Sequence, residues 1–309
     1  MRELEIIQHR QMEGLSLFFD TVEYRTPHFH PEWELIWITE GVLTVRFGAE
    51  ERLSRKGDLF LFCPGQVHEF QKAGESATFL CLQILPQLFS DSVPAFAQFA
   101  VDNSHVNAYL HGREQERVRE LLRQMLSEYL ERSPFYELRC LGACAELMAL
   151  LLTELPSHRL TEEERAHTDQ RNARLERFIR FVDENYMHKI KLSDFALAEG
   201  CSTSYISRFV RTALNQNFQE YVNSVRFHSA CRLIAMGGKK MLDVCEESGF
   251  SDYRYFSGMF KKHFGLTPEE YSRQMTGMEA EPARRSIHSL ERFYTREQSK
   301  TLLERLQTD

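Results

Sequence analysis

The sequence predicts an α+β protein of two domains: an N-terminal antiparallel β-barrel with flanking helices, then an all-α domain with two tandem helix-turn-helix units. Three observations predict this class. The 309 residues exceed what a single core of typical size organises. The first hundred residues are short apolar runs separated by turn residues, whereas apolar residues beyond position 171 recur at helical spacing.

Six short runs predict the strands of the barrel. Each is rich in Phe, Ile, Leu or Val, and Gly, Pro or charged residues separate one from the next. The predicted strands are Leu15–Phe19, Leu35–Thr39, Leu43–Phe47, Asp58–Phe62, His68–Phe70 and Thr78–Leu85.

Two helices are predicted after the barrel, Arg113–Leu130 and Tyr136–Leu155. The first has an apolar stripe with charged residues opposite. The stripe is expected to cover the barrel or to pack against a second copy of the chain, and it could do both. Its residues are Val118, Leu121, Leu122, Met125 and Leu126.

The remaining boundaries follow from composition. Segment 156–170 is polar and predicts a linker between a domain at 1–155 and a helical domain at 171–275. Residues 276–309 form a tail of unknown role. A weak amphipathic helix is expected there through Leu290, Phe293, Leu302, Leu303 and Leu306.

Composition narrows the class of protein further. Hydrophobic residues make up 42% and charged residues 27%, which excludes disordered, collagen-like and disulfide-scaffold chains. The seven cysteines include no Cys-x-x-Cys pair, so we expect reduced, mostly buried thiols. The chain shows neither a run of roughly 20 apolar residues nor a signal-peptide core. A cytoplasmic protein without a membrane partner is therefore expected.

Net charge differs between the two halves. The whole chain carries −7, but residues 171–275 hold 16 Lys and Arg against 12 Asp and Glu, a surplus of +4, so the rest carries −11. The two halves are expected to do different jobs. A surplus of four alone is mild for a nucleic-acid binder.

Histidines in the strand half form the first candidate site. His28, His30 and Glu34 share one parity on an extended segment, so their side chains are expected to converge inside the barrel. His68 is the natural fourth member. Three imidazoles and one carboxylate around an open position suit Fe, Mn, Ni, Cu or Zn.

This His-x-His-x-x-x-Glu spacing resembles the cupin superfamily over residues 14–85, and the resemblance implies a cupin-type β-barrel. Two interpretations of the four residues stay open: a dry pocket for a small-molecule effector, or a divalent metal site. Trp33 and Trp37 have the opposite parity and are expected to face outward or toward the helices. Phe29 is expected in the core.

Two stretches of the helical half predict helix-turn-helix units. Leu192–Leu214 contains a short helix, a turn at Gly200 and a second helix capped by Ser202. Met241–Phe264 repeats this pattern, and the helical segment Phe218–Met236 joins the two. One such unit is a weak signal, but two in tandem are specific. The second helix of each unit has the shape that enters a DNA major groove.

Over residues 172–273 the sequence resembles the AraC/XylS family of bacterial transcription regulators, many of which carry a cupin-type sensor. In the second unit the resemblance is carried by Gly249-Phe250, Tyr255-Phe256, Phe260-Lys261-Lys262, Phe264-Gly265, Thr267-Pro268 and Tyr271. In the first unit and the joining helix it is carried by Ser202, Ser204–Ile206, Arg208, Phe209, Arg226, Ala230 and Leu233.

The resemblance implies which residues contact DNA. In the first unit these are Ser204, Ser207 and Arg208 at bases, with Thr203 and Arg211 near the backbone. Arg208 is the strongest candidate, because a guanidinium bonds O6 and N7 of guanine together. In the second unit they are Asp252, Tyr253, Arg254, Tyr255 and Ser257, with Lys261 and Lys262 near phosphates. Gly258 stands where the family usually has Arg, so this unit is expected to read sequence weakly.

The leading hypothesis is a ligand-responsive transcription regulator that is not an enzyme and needs no cofactor. The resemblance implies double-stranded DNA as target, a homodimer, activation through RNA polymerase, and a sugar or related metabolite as effector at His28, His30, Glu34 and His68. The alternative is a cupin metalloenzyme, an isomerase or dioxygenase, with the same four residues as ligands. A third hypothesis keeps DNA binding and makes the metal itself the signal.

Overall fold

The computed structural model describes residues 12–74, 76–90, 92–214, 216–276 and 289–308. The strands are β1 (Leu15–His28), β2 (Trp33–Glu40), β3 (Val42–Phe47), β4 (Glu50–Arg55), β5 (Leu59–Phe62), β6 (His68–Lys72), β7 (Ala77–Ile84), β8 (Phe99–Val101), β9 (Ser157–Arg159) and β10 (Ser289–Phe293). The helices are α1 (Gln87–Ser90), α2 (Gly112–Glu131), α3 (Tyr136–Glu154), α4 (Glu162–Asn185), α5 (Leu192–Ala198), α6 (Thr203–Leu214), α7 (Phe218–Met236), α8 (Met241–Glu247), α9 (Tyr253–Phe264), α10 (Pro268–Thr276) and α11 (Arg296–Thr308). None of the helices in these ranges is long and apolar enough to cross a membrane.

Eight strands form one antiparallel sheet in the order β4-β3-β6-β1-β7-β2-β5, and β10 is added to β1. Side chains alternate along β2: Ile36 and Ile38 lie in the core inside the barrel, whereas Leu35 and Trp37 pack toward the helices. The predicted N-terminal barrel is confirmed. Trp33 and Trp37 face the helical layer, as their parity requires.

The apolar stripe of α2 is buried within the chain, against the barrel, α3 and α11. Of the two roles expected for this stripe, it therefore performs the first, which is to cover the barrel. The segment expected as a linker is mostly regular structure: β9 pairs with β8, and α4 begins at Glu162 behind a capping box of Thr161 and Glu164. Its polar composition marks an exposed helix face.

The helical half contains two cores joined by α7. The N-terminal part of α7 packs with α4, α5 and α6, and its C-terminal part packs with α8, α9 and α10. Arg226 of α7 donates to the carbonyl oxygens of Tyr186 and His188 at 2.8 Å, which binds α7 to the end of α4. Gly249 has φ +84°, and a Cβ there would lie 2.6 Å from the Tyr186 oxygen. This close approach requires glycine and holds the two units in one orientation.

The described part of the tail packs on the N-terminal domain. Strand β10 pairs with β1, and Arg25 donates to Glu291 at 2.9 Å in an ion pair whose side chains are 12% and 6% exposed. Helix α11 packs on α2 and buries Leu303 and Leu306. The expectation of one amphipathic helix through Leu290 and Phe293 is wrong, because those two positions belong to a strand paired with the sheet.

Candidate functional site

The structure brings the four predicted residues of the strand half together. His28 ends β1, His30 follows it in a loop, Glu34 lies near the start of β2, and His68 opens β6 directly opposite His28. One ligand atom from each lies within 4.8 Å of the others, and all four side chains are buried. We call this group the histidine cluster.

Glu34 is the centre of the histidine cluster. Its Oε1 lies 3.1 Å from Nε2 of His68, and its Oε2 lies 3.2 Å from Nε2 of His30 and accepts from Nε2 of Gln83 at 2.7 Å. Burial alone would raise the pKa of Glu34, but the two imidazoles outweigh burial and hold that pKa well below its usual range. Burial, reinforced by His68, lowers the pKa of His28. An ionised carboxylate and a neutral imidazole are the forms that bind metal.

Backbone carbonyls set the orientation of two rings. Nδ1 of His28 lies 2.9 Å from the Thr26 oxygen, and Nδ1 of His68 lies 2.9 Å from the Gln66 oxygen. A carbonyl oxygen only accepts, so Nδ1 of each ring carries a proton. Nε2 of His28 is then the nitrogen left for a ligand, and Nε2 of His68 faces Oε1 of Glu34. Metal-binding histidines are usually held in this way. The four residues therefore fit a divalent ion bound by three imidazoles and one carboxylate.

Phe29 connects the histidine cluster to the helical half. Its ring is 5% exposed and lies in the core formed by α4, α5, α6 and α7. Val67, the neighbour of His68, packs against the same core. Phe29 is a core residue as expected, but of the other domain, because its parity directs the ring away from the cluster. A shift of the histidines must therefore move a side chain inside the first helix-turn-helix unit.

The barrel also contacts the second unit. Tyr24 of β1 stacks on His228 of α7 with ring centroids 3.9 Å apart, and the Lys72 ammonium lies 5.6 Å from the centre of the Phe264 ring. Both units are consequently in contact with strands that carry the histidine cluster.

All five predicted DNA-contacting residues of the first unit are exposed on α6. They lie opposite its buried side, which consists of Ile206, Val210 and Leu214. Ser202 accepts from the Tyr205 N–H at 3.2 Å, so the predicted cap is present. The exposed residues are Thr203, Ser204, Ser207, Arg208 and Arg211.

The predicted residues of the second unit divide into two groups. Asp252 accepts from the N–H groups of Arg254 and Tyr255 at 2.7 and 3.0 Å and so caps α9, and the Tyr253 hydroxyl bonds Glu269. These two side chains have structural roles that the sequence did not separate from base contact. Ser257 is half-buried. Asp252 is exposed although it caps the helix, and the other exposed members are Arg254, Tyr255, Lys261 and Lys262.

Sequence reasoning missed an ionic group that fixes α6 on α4. Arg174 and Arg177 bond Glu199 at 3.1 and 2.6 Å, and the Arg177 hydrogen bond lowers the pKa of that carboxylate. Arg174 also donates to the Tyr205 hydroxyl at 2.8 Å. The Arg-x-x-Arg spacing on α4 was the available signal, since residues three apart share a helix face.

Two family models match the chain: an AraC-like ligand-binding domain over residues 11–151 and a helix-turn-helix domain over residues 195–274. The chain is similar to the uncharacterised transcriptional regulator YisR of Bacillus subtilis, at 35% identity over 92 residues, 30% of this chain and 32% of YisR. It is 27% identical to the Msm operon regulatory protein of Streptococcus mutans over 139 residues, 45% of this chain and 49% of that protein.

A longer match is to the uncharacterised transcriptional regulator YbfI of Bacillus subtilis, at 24% identity over 262 residues, 81% of this chain and 88% of YbfI. The chain spans only about a third to a half of the length of YisR and the Msm regulatory protein.

Proposed function

We propose that this chain, which belongs to the AraC family of transcription regulators, is a ligand-responsive protein that binds specific DNA sequences. The observation that carries the proposal is the pair of helix-turn-helix units held in one orientation by α7, with exposed polar faces on α6 and α9. Two recognition helices fixed in this way can enter successive major grooves of double-stranded DNA. We place the protein in the cytoplasm, as an activator that acts with RNA polymerase and senses a sugar or related metabolite.

Arg208→Ala tests DNA recognition. Arg208 is exposed and no carboxylate of the described residues forms an ion pair with it, so its guanidinium is available to guanine. Loss of a bidentate contact is expected to weaken binding by about 1–3 kcal/mol. Fluorescence anisotropy with DNA from the gene's own upstream region gives the affinity, and Arg180→Ala, which lies on α4, is the matched control. Unchanged affinity of Arg208→Ala would refute the assignment of α6.

We also propose a homodimer, because two half-sites raise affinity without new contacts. Since the α2 stripe is covered, the surface that supports this proposal is the outer face of α3. Phe135 is 73% exposed and Leu138 is 66% exposed there. Exposed apolar side chains of this size are typical of protein contact surfaces.

A second candidate signal is a divalent metal at the histidine cluster. The buried ligand set and the backbone-held rings of His28 and His68 favour it. Metal analysis of the purified protein, together with DNA binding before and after chelation, tests this candidate. Stoichiometric metal with chelator-sensitive DNA binding supports a metal-responsive regulator. Metal together with turnover of an organic substrate would instead favour the cupin metalloenzyme, which the regulator relatives do not support.

A further inference from the structure

A cavity of about 600 Å³ lies between the barrel and α4. The barrel contributes His30 and the loop at Cys63–Gln66, and α4 contributes Arg165, Thr168 and Arg171. Its volume is within the range of pockets that bind small molecules. Because each domain supplies one wall, a molecule bound here contacts the barrel and the helical half together.

Arg171 is the unusual residue of this cavity. Its side chain is half-buried. Within the described part of the chain its Nε has no hydrogen-bond partner, and its one hydrogen bond is a long contact of 3.4 Å to the Asn172 side chain. Burial lowers the pKa of Arg171. A guanidinium withdrawn from water in this way costs stability unless an anion compensates it.

The carboxylates in the cavity wall do not provide that anion. Glu176 is engaged by Arg180 at 2.8 Å, and Asp169 is exposed. Across the described ranges, no carboxylate lies within ion-pair distance of Arg171. Arg165, also in the wall, adds a second positive charge. Among the described residues, Arg171 is thus a charged group of this wall without a carboxylate partner, and a negative group on a bound molecule would compensate it.

The cavity is joined to the coupling residues described above. His30 of the histidine cluster and Phe29 of the helical core both line it. Asn172 donates to the Gly65 oxygen at 3.0 Å, and a Cβ on Gly65 would lie 2.4 Å from the Asn172 amide nitrogen, so α4 rests directly on the loop. A ligand in the cavity would therefore lie against the contact between the two domains.

We propose that this cavity is the effector site, that the effector is a small hydroxylated carboxylic acid such as a sugar acid, and that Arg171 binds its carboxylate. A guanidinium pairs with a carboxylate through two parallel hydrogen bonds, a geometry that a neutral sugar cannot match. The Thr168 hydroxyl lies in the same wall and can bond a hydroxyl group of the ligand. The assignment rests on the proposed function as a ligand-responsive regulator and specifies its effector class.

The test uses the full chain and D-glucuronate as probe, with D-glucose as its neutral counterpart and acetate and inorganic phosphate at equal ionic strength. We expect glucuronate to raise the Tm of the wild-type protein by several degrees and glucose to leave it unchanged. In Arg171→Met the glucuronate shift is expected to disappear, with at least a tenfold weaker Kd by calorimetry. Arg113→Met, at an exposed arginine of α2 outside the cavity wall, is expected to behave as wild type.

A second readout needs no ligand. Since the buried guanidinium lacks a counter-charge, Arg171→Met is expected to raise the Tm of the ligand-free protein. A lower Tm would show that Arg171 has a structural partner and would overturn the proposal. Four other results would also overturn the proposal. They are equal Tm shifts with glucose and glucuronate, no Tm shift with either carboxylate, a larger Tm shift with phosphate, and a glucuronate-induced Tm shift that is retained in Arg171→Met. DNA affinity without effector is expected to be unchanged in Arg171→Met, so failure of this site and failure of DNA binding are separable.

Discussion

Phe29→Ala is expected to weaken the contact between the two domains without removing any ligand atom of the histidine cluster. The ring is 5% exposed and packs among Leu175, Phe178 and Ile179 of α4. Truncation of a buried Phe costs about 3–5 kcal/mol, the sum of lost burial and the cavity left behind. In this protein the lost free energy is that of the contact between the barrel and the first helix-turn-helix unit.

Calorimetry measures this loss as the splitting of thermal unfolding into two transitions, with the helical half unfolding first. Phe19→Ala is the matched control, because Phe19 is equally buried but lies in the core between the barrel and α2. It is expected to destabilise the barrel by a similar amount. If Phe29→Ala instead unfolds in a single transition with a loss below about 1 kcal/mol, the ring is not part of the helical core and the coupling argument fails.

Three further variants test other contacts. Gly249→Ala places a Cβ against a carbonyl oxygen at a residue with φ +84°. It is expected to lower the free energy of unfolding, measured by urea denaturation, by at least about 2 kcal/mol. Gly258→Ala is the control: it has open space around it and is expected to stabilise α9 by up to about 1 kcal/mol. Glu291→Ala removes the carboxylate bonded to the half-buried Arg25 of β1 and is expected to lower the free energy of unfolding by about 1.5–3 kcal/mol. The exposed Glu297→Ala is expected to change nothing measurable. Leu138→Asp is expected to shift sedimentation to the monomer, and an unchanged dimer would place the contact elsewhere.

Local alternation was enough to predict three of the four residues of the histidine cluster. The parity of His28, His30 and Glu34 fixes one face of the chain, and it correctly separated Trp33 and Trp37 from them. The sequence also predicted that the apolar Phe29 is buried in a core. It could not tell which core the ring enters, because that depends on how α4 lies against the barrel.

Contacts distant in sequence account for most of what was missed. Strand β4 was not predicted because its residues are mostly charged. It lies at an edge of the sheet, where polar residues are favoured and an apolar pattern is not needed. Strand β10 gains its place only by pairing with β1, about 270 residues earlier, and its segment has no strong strand pattern of its own. Arg171 marks the start of the helical half in the sequence, and nothing local shows that it borders a cavity.

The coupling between effector binding and DNA binding can be measured in two ways, through either ligand's affinity. We expect the cavity ligand and the operator both to act on the contact between α4 and the loop at Cys63–Gln66. Glucuronate then changes the affinity for DNA by some factor, and DNA must change the affinity for glucuronate by the same factor. Anisotropy measures the first factor and calorimetry the second. Phe29→Ala is expected to bring both factors close to one, because the ring joins the wall of the cavity to the core of the first helix-turn-helix unit. Factors close to one in the wild-type protein would mean that the effector site and the DNA-binding units are not coupled.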